Sequence, residues 1–267
     1  MKKNTHLYRG HAMAFLLLFT IMGYAQEDYS RGERVPLVTD RPDQTESSVT
    51  VPLHYLQLEL GASFTKDQPA ATVQQELSLG MPHLLVRYGL FERFELRLGV
   101  EHSLAMLTNM ENQVISREFR LAPLLAGTKF KINDQRGWLP EMALLTHLSV
   151  PVTQTNTQSV MPEMILAASH EVVPEIGLGY NLGMRWEEQE AGMVFYAFVA
   201  GFGVTERTGL FVESFGQLSP VFETSLDGGV TYLVIPNLQL DLSGGMALTP
   251  GMPDFFVSAG ITYRYPQ

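Results

Sequence analysis

The sequence predicts an all-β protein: a transmembrane, antiparallel, up-and-down β-barrel of about twelve strands, preceded by a signal peptide. Three observations predict it. Segments in which apolar and polar residues alternate recur about every 15–20 residues from Tyr55 to Tyr265. Beyond the N-terminal leader, no apolar run approaches the roughly 20 residues that a membrane-crossing helix needs. The connections between alternating segments are short and long by turns, the habit of bacterial outer-membrane barrels.

Composition agrees. Charged residues are 17% of the 267, below the roughly 25% of a typical soluble domain. The net charge of -10 argues against a nucleic-acid binder, which carries a basic footprint. With no cysteine there is no disulfide, thiolate nucleophile or cysteine metal ligand.

The leader comes first. Lys2, Lys3 and Arg9 form a positive end, Ala12 to Met22 is uncharged and apolar, and Gly23-Tyr24-Ala25 is a small-x-small cleavage site. Cleavage near Ala25 is expected, leaving 15 Lys+Arg against 28 Asp+Glu, a net of -13. Residues 26–52 follow as a polar lead-in that lies in the periplasm or enters the barrel mouth as a plug. Residues 53–267 are the barrel, placed in the outer membrane of a Gram-negative cell.

Strands are expected at Tyr55–Thr65, Val73–Gly89, Phe94–Ala105, Arg117–Ile132, Met142–Thr153, Glu163–Val172, Ile176–Glu187, Met193–Thr205, Gly209–Leu218, Val221–Ile235, Leu238–Leu248 and Phe255–Tyr265. The hairpin Arg87 to Glu101 displays the pattern best. Phe94, Leu96, Leu98 and Val100 alternate with Glu95, Arg97, Gly99 and Glu101, so one face is apolar and the other charged. Leu90–Arg93, Val173–Glu175, Glu206–Thr208 and Pro236–Asn237 are tight turns on one rim, with Asn133–Pro140 a longer member. Lys66–Thr72, Leu107–Ser116, Gln154–Pro162, Glu188–Gly192 and Thr249–Asp254 are polar loops on the other. Leu218–Val221, on that second rim, is shorter than the pattern wants.

The faces sort consistently. Leu178, Tyr180, Leu182, Met184 and Trp186; Val194, Tyr196, Phe198 and Phe202; Leu238, Leu240, Leu242 and Met246; and Phe255, Val257, Ile261, Tyr263 and Tyr265 are assigned to lipid. Asn181, Arg185 and Glu187; Gln239, Asp241 and Ser243; and Ser258, Thr262 and Arg264 are assigned to the lumen. Ionic residues at mid-strand beside Gly, Ser and Ala suit a crowded enclosed space better than a solvated face.

The lead-in motif Thr39-Asp40-Arg41-Pro42-Asp43-Gln44-Thr45, the first strand Tyr55–Gly61 and the hairpin Arg87–Arg97 together resemble an outer-membrane β-barrel family named for the meta-pathway of phenol degradation. Its members are described as transporters and are common in Bacteroidetes-like bacteria. The resemblance covers essentially the whole mature chain and implies passage of small, hydrophobic or aromatic molecules. The last strand also resembles a barrel-assembly signal in Gly260, Ile261, Tyr263 and Tyr265, although Pro266-Gln267 ends the chain in place of an aromatic residue.

The lumen charges Glu59, Arg87, Glu95, Arg97, Glu101, Arg185, Glu213, Asp241 and Arg264 are the candidate pathway. They form either a structural network filling a narrow barrel or a route for polar or amphiphilic solutes, since an enclosed charge must be paired. Asp40, Asp43 and Glu46 either pair with lumen arginines, bind a cation or lie in a solvated linker. His147-Leu148-Ser149 is similar to the His-x-Ser of an outer-membrane phospholipase but lacks its following Asn-Gly. No catalytic residue, metal or cofactor is assigned. His170-Glu171 lacks the second histidine of a zinc motif, and Gly201-Phe202-Gly203 lacks the third glycine of a nucleotide loop. The expected partners are outer-membrane lipid, the barrel-assembly machinery and an unidentified small solute, with the chain acting as a monomer. The rival readings are an outer-membrane acyl hydrolase and a non-transporting structural barrel.

Overall fold

The computed structural model describes residues 35–67, 74–109, 111, 113–152, 159–186, 192–218 and 221–265. The expected leader, its cleavage point near Ala25 and residues 26–34 and Glu187 lie outside the described residues.

Alternation produces the strands. They are β1 (Leu56–Asp67), β2 (Gln75–Phe91), β3 (Phe94–Thr108), β4 (Val114–Leu121), β5 (Leu124–Asn133), β6 (Glu141–Val150) and β7 (Met161–Val173). Then follow β8 (Ile176–Arg185), β9 (Met193–Gly203), β10 (Thr208–Gln217), β11 (Glu223–Ile235), β12 (Leu238–Ala247) and β13 (Phe255–Tyr265). All pair antiparallel, and β1 pairs with both β2 and β13, which closes the sheet on itself. Closure gives each strand two neighbours apart from β4, which pairs with β3 alone; two neighbours are the condition for backbone amides to be satisfied in hydrocarbon.

The segment expected as one strand at Arg117–Ile132 is two. β4 and β5 both pair with β3 and are separated by Ala122-Pro123, so they occupy one of twelve barrel positions. Pro123 has no N–H to donate and interrupts the ladder. A second irregularity lies nearby. The β2–β3 register jumps between the Gly80–Ser103 and His83–Glu101 pairs, leaving Met81-Pro82 bulged. The loop expected at Leu218–Val221 is longer than read, because β10 stops at Gln217 and β11 starts at Glu223. The first tight turn is shorter, since Phe91 and Phe94 pair across Glu92-Arg93.

The two faces separate as the alternation requires. Along β12, Leu240 and Leu242 are exposed while Gln239, Asp241 and Ser243 are buried. A solvated sandwich would show the reverse, so the wall is that of a transmembrane barrel with lipid outside and ionic groups enclosed. Inside, aromatic rings lie over glycines directly across the ladder: Phe195 over Gly183, Phe211 over Gly229 and Phe256 over Gly245. A Cβ at Gly183 would fall 2.1 Å from the Phe195 ring, so these inward phenylalanines depend on bare backbone opposite.

Leu242→Arg puts a charge on the lipid face and should destabilise the barrel by about 2–4 kcal/mol if the residue sits near the bilayer midplane. Urea unfolding in lipid vesicles measures this.

Candidate functional site

The lead-in builds the site. Residues 36–54 run into the lumen and return, and both ends lie at the short-turn rim. Arg264, next to last in β13, donates from Nη1 to the Pro36 carbonyl at 2.8 Å. At the other end His54 N donates to the Gly89 carbonyl at 2.7 Å, close to the β2–β3 turn. Between these anchors the motif Thr39 to Thr45 stands inside the barrel, with Thr45, Ser48, Thr50 and Val51 all buried.

Asp40 is the hub. Its carboxylate lies 3.0 Å from Arg87 Nη1 and 3.0 Å from Lys129 Nζ, and it accepts from Arg97 Nη1 as well. The three cations come from β2, β5 and β3, whose inward faces meet at this height. Arg87 also forks onto Glu95 at 2.9 and 3.0 Å and reaches Glu59 at 2.9 Å. Arg97 grips Glu46 of the lead-in at 2.8 and 2.9 Å. Backbone groups complete the network. The Asp40 amide donates to Glu59, the Val51 amide to Glu95, and Arg87 donates to the Val49 carbonyl. Arg87, Lys129, Glu59 and Glu95 have no exposed surface. Burial by itself would raise the Asp40 carboxyl, but the positive charges of Arg87, Lys129 and Arg97 hold it well below the usual carboxylate range.

The opposite wall is acidic. Glu213 on β10 accepts from the Gln44 amide at 2.7 Å and from the Thr45 hydroxyl. Asp227 stands directly across from it on β11. Asp43 is enclosed beside them. Burial, then the charge of Glu213, push its carboxyl well above the normal range, with Asp40 and Asp227 adding to the effect. Asn181 on β8 exchanges two hydrogen bonds with the Glu46 backbone. Arg41 points toward β12 and β13, donating from Nη2 to Asp241 at 3.1 Å and Ser258 at 2.9 Å. Its guanidinium occupies a slot over Gly61 and Gly260, where added Cβ atoms would fall 2.3 and 2.4 Å from it. The two glycines are paired across β1 and β13. Thr39 accepts from Gln239, and Pro42 borders the cavities on both sides of the lead-in.

Of the nine lumen charges expected as a pathway, Glu59, Arg87, Glu95 and Arg97 converge on Asp40. Glu213, Asp241 and Arg264 hold other parts of the lead-in. Glu101 and Arg185 do not join them. They stand nearer the long-loop rim, paired with His83 and Glu163. Sequence reasoning missed Lys129, although Gly127, Lys129 and Lys131 alternate with Thr128, Phe130 and Ile132 and so carried the signal. The serine-histidine rival loses its pair. His147 Nδ1 bonds Glu163 at 2.9 Å, while its Nε2 is buried with no partner, so Ser149 is not bonded to it. No group of three metal-ligating side chains converges among the described residues.

The lead-in divides the lumen. On the short-turn side is a cavity of about 500 Å³ bordered by Val38, Val49, Val199, Phe211 and Gln239. On the long-loop side, adjoining cavities of about 420, 450 and 430 Å³ are bordered by described residues. Their floor includes Arg41, Gln44 and Glu46, and their wall includes Phe195, Phe215, Phe256 and Met252. One of them reaches the wall break, touching Leu84, Val100, Ala122 and Pro123.

A family model described as “Putative MetA-pathway of phenol degradation” matches residues 39–265. No curated protein matches the chain. Among solved structures, an outer membrane channel from Pseudomonas putida F1 is similar with a TM-score of 0.60 at 10% identity, covering 81% of this chain and 97% of that one. The transport unit of the autotransporter AIDA-I from Escherichia coli is similar with a TM-score of 0.51 at 10% identity, covering 93% and 97%. At such identities the likeness is one of fold.

Two outcomes follow from the network. Asp40→Ala should leave Lys129 without a close carboxylate and cost about 3–5 kcal/mol of lead-in docking. Hydrogen exchange at the Gln44, Ser47 and Val51 amides should then speed up by about two to four orders of magnitude. Asp43, with its raised value, binds a proton when docked that it lacks when free. Docking should therefore weaken as pH rises from about 4 through the raised value, whereas Asp40 stays ionised and contributes steadily until pH falls below the ordinary carboxylate range. Single-channel recordings should show more frequent opening at pH 8 than at pH 5, and Asp43→Asn should remove the difference.

Proposed function

The chain belongs to this phenol-degradation family, and from that premise we propose that it is an outer-membrane channel admitting small apolar molecules, aromatic ones among them. The observation that carries the reading is the lead-in. It blocks the lumen at mid-height by polar contacts while leaving an aromatic vestibule on the long-loop side. Phe195, Phe215 and Phe256 offer ring faces and edges to a planar apolar guest, whereas the charged layer beneath opposes steady flow of ions. Because both ends of the lead-in leave at the short-turn rim, the plug shifts or withdraws toward the periplasm without threading through the wall.

In this reading the leader is removed near Ala25, the assembly machinery inserts the barrel, and the monomer sits in outer-membrane lipid. His147 and Ser149 take no chemical part. The vestibule's contact with the break at Ala122-Pro123 supports a second exit, through the wall into lipid. There Val100 and Leu124 would be the next ladder pair after Gly99 and Leu125, and they are not joined.

Deleting residues 36–52 should raise conductance in planar bilayers several-fold over the nearly closed full chain. Uptake of the apolar fluorophore N-phenyl-1-naphthylamine into lipopolysaccharide-containing vesicles should exceed that of empty vesicles. Equal uptake by empty vesicles would sink the reading. Val100→Cys with Leu124→Cys, the sole cysteines in the chain, should slow that uptake when oxidised and restore it on reduction if the wall route operates.

A further inference from the structure

We propose that Ser63, His83 and Glu101 form a serine ester-hydrolase site in the outer vestibule. Ser63 Oγ lies 3.0 Å from His83 Nε2, and Glu101 Oε2 lies 3.4 Å from His83 Nδ1. The serine thus meets one ring nitrogen and the carboxylate the other. That is the order in which a histidine removes a hydroxyl proton while an acid holds its tautomer and steadies the resulting charge.

The fold places the three groups by an irregularity. They come from adjacent strands β1, β2 and β3. In a regular ladder the pairing of His83 with Gly61 would set Met81 opposite Ser63. The Met81-Pro82 bulge shifts the register, so that Gly80 pairs with Ser63 and His83 with Gly61 and Glu101. The imidazole then leans back over Gly80. A Cβ there would fall 2.1 Å from His83 Nε2 and 2.8 Å from Ser63 Oγ, so a glycine clears the space in which serine and histidine meet.

The surroundings suit an ester. All three side chains border the 420 Å³ cavity, whose Phe215, Phe256 and Met252 would take an apolar acyl or aryl group. Arg41 is the one arginine or lysine among its lining residues. It lies over Gly61, one same-face step of about 7 Å along β1 from Ser63. It also donates to Ser258, the residue paired with Ser63 across β13. A positive donor beside the nucleophile is where a developing oxyanion needs one.

The chemistry balances with water as the second substrate. Ser63 Oγ adds to the ester carbonyl carbon and its proton passes to His83 Nε2. The carbon–oxygen bond to the alcohol breaks, and the alcohol leaves with that proton. Water then gives a proton to His83, its oxygen attacks the acyl-serine, and the carboxylic acid departs as the proton returns to Ser63 Oγ.

The test uses the full chain in detergent, with folding checked by heat-dependent electrophoretic mobility. A fluorophosphonate probe should add once, on the peptide containing Ser63, and p-nitrophenyl butyrate should be hydrolysed. Ser63→Ala should abolish both, and His83→Asn should lower them at least about a hundredfold. Glu101→Gln should lower the rate and alter its pH profile. Were Ser63→Ala to fail to fold, Ser63→Cys with unchanged folding and no phosphonate adduct would serve. A folded wild-type barrel that neither labels nor hydrolyses overturns the proposal. So does an adduct on another serine, or a folded Ser63→Ala variant as active as wild type.

Discussion

A charge enclosed in a barrel has to be met by another charge or by the backbone, and this molecule meets three of its cations with a single carboxylate that does not belong to the wall. Arg87, Arg97 and Lys129 crowd one side of the lumen, and Asp40 lies among them. Glu59 and Glu95 of the wall offset part of the positive charge, but Lys129 has its close contacts with Asp40 alone among its carboxylates, at 3.0 Å against 3.9 Å or more. Wall and lead-in therefore stabilise each other. Neither is a complete polar structure without its counterpart, because an unpaired buried charge costs several kcal/mol.

The lumen is electrically lopsided, and the lead-in is shaped to it. Facing the cationic strands it presents carboxylates. Facing the acidic strands β10 and β12 it presents amides, a hydroxyl and the guanidinium of Arg41, together with the Asp43 carboxyl, which the neighbouring acids hold toward its neutral form. The two sides differ in their response to protons. Asp40 holds its charge against acid, while Asp43, enclosed with Glu213 and Asp227, favours the neutral form. Within one segment, three residues apart, Asp40 therefore anchors steadily at any pH above the ordinary carboxylate range, whereas ionisation of Asp43 opposes docking as pH rises.

Irregularities concentrate on the wall where the vestibule meets it. Pro82 bulges β2, Pro123 separates β4 from β5, and both flank β3 near Glu101. A proline removes a ladder hydrogen bond and re-aims its neighbours. Here one such change leaves Val100 and Leu124 outside the β3–β5 ladder, and the other sets Gly80 opposite Ser63, beneath His83. The fold's departures from regular pairing and the two functional readings coincide in space. Other register shifts lie close to strand ends, between Leu233 and Ile235, Lys131 and Asn133, and Glu171 and Val173, while inward phenylalanines are supported on opposing glycines.

The strand positions, their inward and outward faces and the twelvefold count were available from the sequence, because a strand's period of two places every lipid-facing leucine by simple alternation. Leu240 and Leu242 outside, Gln239, Asp241 and Ser243 inside, follow from their order alone. The period also marked Lys129 as inward, though its neighbours in sequence did not reveal its importance. What only the tertiary structure decided was which enclosed charges meet. Asp40 and Arg97 are separated by more than fifty residues, and Ser63, His83 and Glu101 meet beside a one-residue shift of register. Alternation specifies the side a residue faces, while height along the barrel depends on bulges, strand stagger and closure. Those are properties of the whole sheet, not of any one stretch.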